Sequence, residues 1–434
     1  MNENDRKIHA QNLGLSLEEF DKLVLSANQA HAKIAELGPF YGKEEIKDPT
    51  FRITAEPVTL PNGSKQTYEI LGGDFLELAK SLPKLSEDIK TKLGDDLSFR
   101  VPLTWRIDSI VDQNGYIRVN EIEGKDGANA LMIAEQLAYG LQDLSESTAS
   151  QFVKTLKSLF PDEKIIKIAL ILTDIPNYPH TPNAKRFVNF LHELSASTIQ
   201  IDLIDENDIR NNGLKPDWSK YSAVINETSL SPKELFKLEV KPEQLISAGN
   251  HTALVNKGLF ALIFDKELDN FWIENLGQES LERLRKYLIP TDFIETKEEL
   301  KEARKKGRVV KVSWAGINTA LVNRSRGVAI PVGDVEQNTE ERWELLEDLL
   351  KKGLRIVAQD FVEPQKIPSF LRKRGITLEK VDWYNRVCVK YVVSANPDAE
   401  VSPNVVLTAT EVTLGPGIVP ATRECAFTAG KFVD

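Results

Sequence analysis

The segment LSFRVPLTWRIDSIV, residues 97–111, and the segment YIRVNEIE, residues 116–123, have the composition and alternation of two β-strands. Between them lies DQNG, residues 112–115, and its Asn-Gly pair is typical of a tight turn. The three pieces predict a β-hairpin. Acidic side chains stand at fixed intervals on both strands of this hairpin.

Three carboxylates of the hairpin are placed to meet. Glu121 and Glu123 are two residues apart and face the same side of a strand, and pairing through the turn brings Asp108 towards them. Such a group of hard oxygen ligands suits Mg²⁺. Arg106 shares a face with Asp108 and suits a phosphate in transfer. The alternative is a charged strand that faces solvent and keeps the sheet soluble.

Composition limits the class of protein. The chain has 434 residues, enough for about two to four domains, with 41% hydrophobic and 28% charged residues. Its formal net charge of -10 argues against non-specific nucleic-acid binding, but not against a nucleotide held by local lysines and arginines. The two cysteines, Cys388 and Cys425, form no metal-binding spacing, and the five histidines are scattered.

The N-terminus is polar, and no apolar stretch of signal-peptide type follows it. The sequence also lacks an uncharged run of about 18 apolar residues, so no transmembrane helix is expected. These features predict a cytoplasmic protein without a membrane partner.

The chain divides into three stretches with different patterns: 1–150, 151–250 and 251–434. In the first, Ser16 followed by Glu19 predicts a capped helix to about Leu37. The second alternates strand, helix and strand, which predicts a small parallel α/β domain, and no G-x-G-x-x-G follows its first strand. The third has an α+β pattern, with strands expected at 308–312, 320–329, 355–361, 386–394 and 405–413. From Gly415 onwards the sequence is rich in Gly, Pro and Thr and reads as loop.

Two lysines and the segments around them are candidates for a phosphate site. Lys311 lies in the apolar strand RVVKVSW and needs a partner, which is either a phosphate or an acidic side chain. Lys257 opens a helical segment. The loop SWAGINTA, residues 313–320, can lay backbone N–H groups over phosphates, although an ordinary hairpin turn fits it as well.

The segment IVAQDFVEP, residues 356–364, ends a strand in polar groups and an aromatic ring. It can offer adenine backbone hydrogen bonds and a stacking face, with Glu363 near the ribose, or it can be a plain strand end. The sequence has neither G-x-x-x-x-G-K-[ST] nor G-x-S-x-G, which excludes a P-loop NTPase and gives no support to an α/β-hydrolase.

In chain order these pieces resemble the circularly permuted ATP-grasp superfamily, whose best-known relative is glutathionylspermidine synthetase. The likeness covers roughly residues 97–140 and 250–395. Arg106-Ile-Asp108 and Asn120-Glu-Ile-Glu123 are similar to the family's metal-binding element, with Glu123 where the family has asparagine. The other similar pieces are Asn256-Lys257-Gly-Leu, Val309-Val-Lys311 with Gly316-Ile-Asn318, Ala358-Gln-Asp-Phe-Val362 and Tyr384-Asn-Arg386.

The resemblance implies a mixed α+β and α/β chain, with a circularly permuted ATP-grasp fold and a small parallel α/β domain. It implies an ATP- and Mg²⁺-dependent ligase that joins a small-molecule or peptide carboxylate to an amine through an acyl phosphate. The implied metal ligands are Asp108, Glu121 and Glu123, the catalytic residues are Arg106 and Arg386, and the ATP-binding residues are Lys257, Lys311, Gly316, Asn318, Gln359, Asp360, Phe361 and Glu363. The family's glycine-rich loop is replaced here by Ser313-Trp-Ala-Gly316, and this change leaves a second possibility open, a nucleotide-binding protein without ligase activity. A small-molecule phosphotransferase is a third.

Overall fold

The structure, a computed structural model, describes residues 2–38, 40, 52–94, 96–124, 129–177, 181–313, 328–331, 338–372, 377–394, 404–416 and 425–433. The helices are α1 (Glu3–Leu13), α2 (Leu17–Leu37), α3 (Ser64–Ser81), α4 (Glu87–Leu93), α5 (Asn129–Ala138), α6 (Thr148–Leu159), α7 (Thr181–Ser195), α8 (Glu206–Arg210), α9 (Pro232–Lys237), α10 (Gly258–Phe264), α11 (Asp269–Leu276), α12 (Gln278–Tyr287), α13 (Lys297–Lys305) and α14 (Glu340–Lys351).

The strands are β1 (Arg52–Ile53), β2 (Val58–Thr59), β3 (Thr104–Val111), β4 (Ile117–Glu123), β5 (Ile166–Leu172), β6 (Ile199–Asp205), β7 (Ala223–Asn226), β8 (Leu245–Ser247), β9 (Thr291–Ile294), β10 (Val309–Val312), β11 (Val328–Ala329), β12 (Ile356–Gln359), β13 (Lys366–Arg372), β14 (Leu378–Val393), β15 (Val405–Gly415) and β16 (Ala426–Lys431).

The predicted capping box of α2 is confirmed. The Ser16 hydroxyl accepts a hydrogen bond from the Glu19 backbone N–H at 3.2 Å, and the Glu19 carboxylate accepts one from the Ser16 N–H at 2.8 Å. The apolar stripe of the helix then buries Ala30 and Ile34 in the core that α5 shares.

The predicted hairpin is also confirmed, as β3 and β4 of the largest sheet. Its strands follow the order β1-β16-β15-β14-β3-β4, with β13 added beside β14 and β2 beside β16. Asp108 lies opposite Glu121 and Arg106 lies opposite Glu123, and a bulge follows between Asp108 and Ser109. The bulge increases the local twist and changes the register immediately beyond the acidic pair.

The two faces of this sheet differ in chemistry. On one face, Trp105, Ile107 and Tyr391 belong to a large apolar core that α3, α10, α11 and α12 complete. On the other face, Asp108 lies opposite Cys388, which packs against Met132 of α5. The face of the sheet that carries Asp108 thus has charged side chains and is partly covered by α5.

The prediction of loop structure after Gly415 is wrong for the segment 426–431. These residues form β16, which lies antiparallel to β15 in the large sheet. Small residues allow the strand to pack closely, and a Cβ on Gly430 would lie 2.5 Å from Thr410 Cγ2. Gly, Ala and Thr here indicate close strand packing rather than a turn, which composition alone does not reveal.

The predicted small parallel sheet is confirmed. Strands β6, β5, β7 and β8 lie side by side in that order, all parallel, and α7 connects β5 to β6. A third, antiparallel sheet has the order β11-β10-β12-β9. The parallel strands lie within 166–247, but the exact domain limits 1–150, 151–250 and 251–434 stay a prediction.

Other differences concern single elements. The predicted strand 320–329 is described only at Val328–Ala329, and the predicted helix 129–144 ends at Ala138. The prediction does not include α3, β9 or β13. Among the described helices, each is too short or too polar to cross a membrane.

Gly249 packs closely between Asn226 of the parallel sheet and Gly124, the residue after the hairpin. Its φ is +52°, a Cβ there would lie 2.3 Å from Asn226 O, and a Cβ on Gly124 would lie 2.7 Å from Gly249 O. We expect Gly249→Ala to lower the free energy of unfolding by about 2–4 kcal/mol, from backbone strain plus overpacking. The control Gly213→Ala, with φ +67° and open space around it, should lose only about 1 kcal/mol. Urea unfolding tests this, and equal losses in the two variants would contradict it.

Candidate functional site

Three carboxylates meet where β3 and β4 pair. One ligand oxygen each from Asp108, Glu121 and Glu123 lies within 4.8 Å of the other two. Asp108 is fully buried, whereas the side chains of Glu121 and Glu123 are 19% and 37% exposed. Asp108 therefore lies at the buried side of the group, and a ligand can reach Glu121 and Glu123.

Two arginines contact the buried carboxylate. Arg106 donates from Nε and Nη2 to Asp108 at 2.6 and 3.0 Å, and Nη2 also donates to Glu123 Oε2 at 2.5 Å. Arg386 Nη1 lies 3.5 Å from Asp108 Oδ2. Burial opposes the charge of Arg106, but Asp108 and Glu123 outweigh it and raise the pKa of this guanidinium further above its ordinary value.

Lys257 lies beside Glu121. Its Nζ is 3.4 Å from Glu121 Oε2. Burial alone would raise the pKa of Glu121, but Lys257 and then Lys311 outweigh burial and lower this pKa to about 2. Burial raises the pKa of Glu123, and Asp108 and Glu121 add to that rise against the opposing charge of Arg106. Glu121 is therefore the more firmly ionised of the two glutamates.

Lys311 is only 7% exposed and has neutral hydrogen-bond partners. Its Nζ donates to the backbone oxygen of Asn120 at 3.1 Å and to Gln359 Oε1 at 2.8 Å. Burial lowers its pKa to about 8, against the opposing effect of Glu121. The sequence left two partners open for Lys311, a phosphate or an acidic side chain. No carboxylate of the described residues contacts its Nζ directly, so this ammonium group is available to an anion.

A small cavity lies between the three elements that carry these groups, and its enclosed space of about 10 Å³ is room for about one water molecule. Its lining includes both charged and apolar side chains. The lining residues are Asn120, Glu121, Ile122, Val255, Asn256, Lys257, Phe260, Thr291, Lys311, Val357 and Gln359.

Comparison with known proteins identifies the fold of this chain but matches it to no known sequence family. No protein-family profile matches the chain, and no curated protein sequence matches it. A glutathione synthetase-like effector from Globodera pallida, solved in the apo form, is similar in structure, with a TM-score of 0.60 and 10% identity over 95% of this chain and 97% of that one. The fold is glutathione synthetase-like. A proposed gamma-glutamylcysteine synthetase from Methylobacillus flagellatus has a TM-score of 0.41 at 10% identity, over 80% and 82% of the two chains.

This likeness confirms the predicted fold class at the level of a mixed α/β chain with parallel and antiparallel sheets and a glutathione synthetase-like fold. Kinship with glutathionylspermidine synthetase and circular permutation are finer statements, and they stay proposals. An identity of 10% carries fold and not activity.

The glutathione synthetase-like fold brings most of the predicted residues to one place. Arg106, Asp108, Glu121, Glu123 and Arg386 share the hairpin face, and Lys257, Lys311 and Gln359 line or adjoin the cavity beside it. The predicted Gly316 and Asn318 lie outside the described residues.

The residues after β12, which the sequence predicts to bind adenine and ribose, contact other parts of the protein. The Asp360 backbone N–H donates to Pro290 O at 2.9 Å, and its carboxylate lies 2.9 Å from Arg308 Nε. Phe361 is half-buried, and the exposed Glu363 accepts from the Tyr384 hydroxyl at 3.4 Å. Asp360, Phe361 and Glu363 do not line the cavity, so among these four residues only Gln359 reaches it.

Sequence reasoning missed a hydrogen-bonded group that holds the two lysine-bearing elements together. Asn256 Oδ1 accepts from Gly258 N and from Ser313 Oγ, each at 2.7 Å, and Asn256 Nδ2 donates to Leu93 O at 2.8 Å. Asn256 precedes Lys257, the residue before α10, and Ser313 follows β10, the strand that carries Lys311. An asparagine before a helix start is a common cap, so the sequence signal was present but not specific.

Proposed function

We propose that this chain is an ATP- and Mg²⁺-dependent ligase that joins a carboxylate to an amine. The observation that carries the proposal is the convergence of three carboxylates, two lysines and two arginines on one cleft. Such a set can hold a metal, a triphosphate and a reacting carboxylate at once. The glutathione synthetase-like fold supports the proposal without deciding the reaction.

The donor set fits magnesium. Asp108, Glu121 and Glu123 offer hard oxygens close enough to share one ion. When bound there, Mg²⁺ would offset phosphate charge during transfer. The site also leaves an acceptor for a ligand, because Asn120 Oδ1 lies at the cavity, is buried and has no hydrogen-bond partner in the described part of the chain.

We assign the two lysines to the nucleotide and the two arginines to the substrate and the transferring phosphoryl group. Lys257 and Lys311 line the cavity and would hold the α- and β-phosphates. Arg106 and Arg386 would orient the substrate carboxylate and stabilise the transferring phosphoryl group. A carboxylate oxygen attacks the γ-phosphorus and ADP leaves, which gives an acyl phosphate. The amine then attacks the acyl carbon, phosphate leaves, and an amide bond forms.

The finer parts of the proposal follow from the chain order. The metal-binding hairpin precedes the lysine-bearing elements, which is the order of the circularly permuted ATP-grasp group. We also keep Gly316 and Asn318 as phosphate-loop residues, a small-molecule or peptide acid with an amine acceptor as substrates, and the cytoplasm as the compartment.

A second function is a nucleotide-binding protein without ligase activity. One set of contacts favours this possibility, because Arg106 already bridges Asp108 and Glu123 and would need to move towards a substrate.

Calorimetry with Mg-ATP, followed by ADP release with a panel of acids and amines, separates the two functions. Binding together with amine-dependent ADP release and an amide product by mass spectrometry supports the ligase. Binding without turnover for every pair supports the second function. A phosphorylated product without amide would indicate a phosphotransferase.

The pH dependence of nucleotide binding follows from Lys311. Burial holds its pKa at about 8, with Glu121 and Asp108 acting against that fall and Lys257 adding to it. The charged lysine binds phosphate and the neutral one does not, so affinity for Mg-ATP should be full below pH 7. It should then fall as pH rises through 8 towards 9.5, by up to about tenfold per pH unit. Calorimetry across this range tests the prediction, and a flat profile would contradict it.

The group around Asn256 should matter for the same affinity. Asn256→Ala removes the hydrogen bonds that fix Lys257 relative to Lys311, and we expect Mg-ATP binding to weaken by about tenfold. Ser313→Ala removes the other end of the bond and should have a similar effect. Both changes break the Asn256–Ser313 contact, and Asn256→Ala also removes the bonds to Gly258 and Leu93, so the loss in the double variant should be smaller than the sum of the two single losses. Fully additive losses would contradict this coupling.

A further inference from the structure

Each of the three carboxylates on the hairpin face already has a cationic partner. The ion pairs are Arg106 with Asp108 and Glu123, Arg386 with Asp108, and Lys257 with Glu121. A divalent cation on these carboxylates would therefore lie beside positively charged side chains, and like charges repel strongly at contact distance when water is excluded. Binding of the cation is easiest if one of these side chains gives up its carboxylate oxygens.

Arg106 is the side chain whose contacts overlap most with metal ligation. Its Nε donates to Asp108 Oδ1 at 2.6 Å, and its Nη2 donates to Asp108 Oδ2 at 3.0 Å and to Glu123 Oε2 at 2.5 Å. One guanidinium thus occupies both oxygens of Asp108. Arg386 differs, because it lies 3.5 Å from Asp108 Oδ2 and donates to Thr413 Oγ1 at 3.4 Å. Arg106, rather than Arg386, therefore competes with a metal ion for the same atoms.

Glu123 provides the part of this arrangement that a cation reaches first. Its side chain is partly exposed, whereas that of Asp108 is fully buried. The family that the sequence resembles has asparagine at this position, a neutral acceptor, so the negative charge that holds Arg106 here departs from the family's pattern. A cation that binds Glu123 removes one of the two carboxylates that hold Arg106.

Once it has lost these oxygens, Arg106 needs another anion. Its side chain is only 11% exposed, and a buried guanidinium without a counter-ion is costly. A carboxylate or a phosphate presents the same pair of acceptor oxygens as Asp108 does, so either matches the fork of N–H donors. The freed guanidinium is therefore a site for an oxyanion next to the metal-binding carboxylates.

We propose that a divalent cation and Arg106 compete for Asp108 and Glu123, and that binding of the cation releases Arg106 to hold an oxyanion of the substrate. This inference rests on the proposed function and sets the order of its steps, because the metal binds before the substrate anion. By linkage, the cation and the anion each strengthen the binding of the other. Without a cation, the two ion pairs keep Arg106 away from the substrate.

Titration with Mn²⁺ tests the competition without nucleotide or turnover, because Mn²⁺ prefers the same oxygen ligands as Mg²⁺ and its unbound form is counted by electron paramagnetic resonance. Arg106→Gln should bind Mn²⁺ more tightly than the wild type. Arg386→Gln is the matched control, since it removes one charge beside the same Asp108 but no hydrogen bond to it. The gain in Arg106→Gln should exceed the gain in Arg386→Gln by about tenfold or more.

Two further variants secure the assignment. Arg106→Lys keeps the positive charge but loses the fork, so its Mn²⁺ affinity should lie between those of the wild type and Arg106→Gln. Adding Glu121→Gln to Arg106→Gln should abolish the gain, which places the ion on the carboxylate cluster. A misfolded variant would lose Mn²⁺ binding, so tighter binding cannot arise from damage to the fold.

Calorimetry with two simple anions, glutarate and inorganic phosphate, tests the release of Arg106. Saturating Mg²⁺ should tighten the binding of at least one of them to the wild type by about tenfold, and Arg106→Gln should lose this gain. A gain for glutarate assigns Arg106 to the substrate carboxylate, and a gain for phosphate alone assigns it to the phosphoryl group. A gain that persists in Arg106→Gln overturns the release.

The Mn²⁺ titration also separates this inference from the proposed function. Equal gains in Arg106→Gln and Arg386→Gln would overturn the competition, because charge alone would then explain both, while Mg-ATP binding and ADP release by the wild type would still support the ligase. No Mn²⁺ binding by the wild type or by any variant would refute this inference together with the metal site of the proposed function.

Discussion

The Glu121→Gln variant is expected to lose Mg²⁺-dependent ADP release by about 100- to 1,000-fold, the range found when a group that stabilises transition-state charge is removed. Glutamine keeps the size of the side chain and removes its negative charge. The variant therefore loses a firmly ionised metal ligand and the ion-pair partner of Lys257 at 3.4 Å. Steady-state ADP release at saturating Mg²⁺ measures the effect.

Glu274→Gln, on the exposed surface of α11, is the matched control and should retain wild-type rates. Circular dichroism and thermal unfolding should show both variants folded, because Glu121 is half-buried and Gln can occupy its place. Equal ADP release by Glu121→Gln and Glu274→Gln would remove the carboxylate cluster from the mechanism.

The second large effect is expected from Lys311→Met. Methionine has a similar length and suits the apolar surroundings of β10, so the fold should persist. The variant loses a charged hydrogen-bond donor worth about 1.5–3 kcal/mol, or roughly 10- to 100-fold in Mg-ATP affinity. Its affinity should also no longer fall between pH 7 and 9.5.

Lys305→Met, at the exposed end of α13, controls for loss of one surface charge and should bind Mg-ATP as the wild type does. A Lys311→Met variant with unchanged affinity would mean that the cavity does not hold the phosphates. A variant with weakened affinity but an unchanged pH profile would assign the titration to another group.

The hairpin could be predicted because its signals are local. A two-residue spacing of Glu121 and Glu123 fixes their common face, and an Asn-Gly turn fixes the pairing with Asp108. The capping box of α2 and the strand–helix–strand alternation around β5 and β6 are local signals of the same kind. Such elements were predicted correctly because few competing structures satisfy the same pattern.

Other parts depended on contacts between distant segments. β16 is recognisable only when it packs beside β15, where Gly430 gives room to Thr410. Glu135 lies in the apolar helix sequence ALMIAEQL, and sequence alone does not say whether it faces water or the protein interior. Gln359 is a predicted ATP-binding residue, and the contact of its amide with Lys311 depends on the pairing of β10 with β12, which the sequence alone does not show.

A crystal structure with Mg²⁺ and a non-hydrolysable ATP analogue tests most directly whether hairpin and lysines hold one magnesium-bound triphosphate. The predicted result is a Mg²⁺ ion about 2.0–2.1 Å from carboxylate oxygens of the Asp108, Glu121 and Glu123 group. The phosphates should lie within hydrogen-bond distance of Lys257 and Lys311. A nucleotide bound elsewhere, or bound here with no metal on those three residues, would contradict the account.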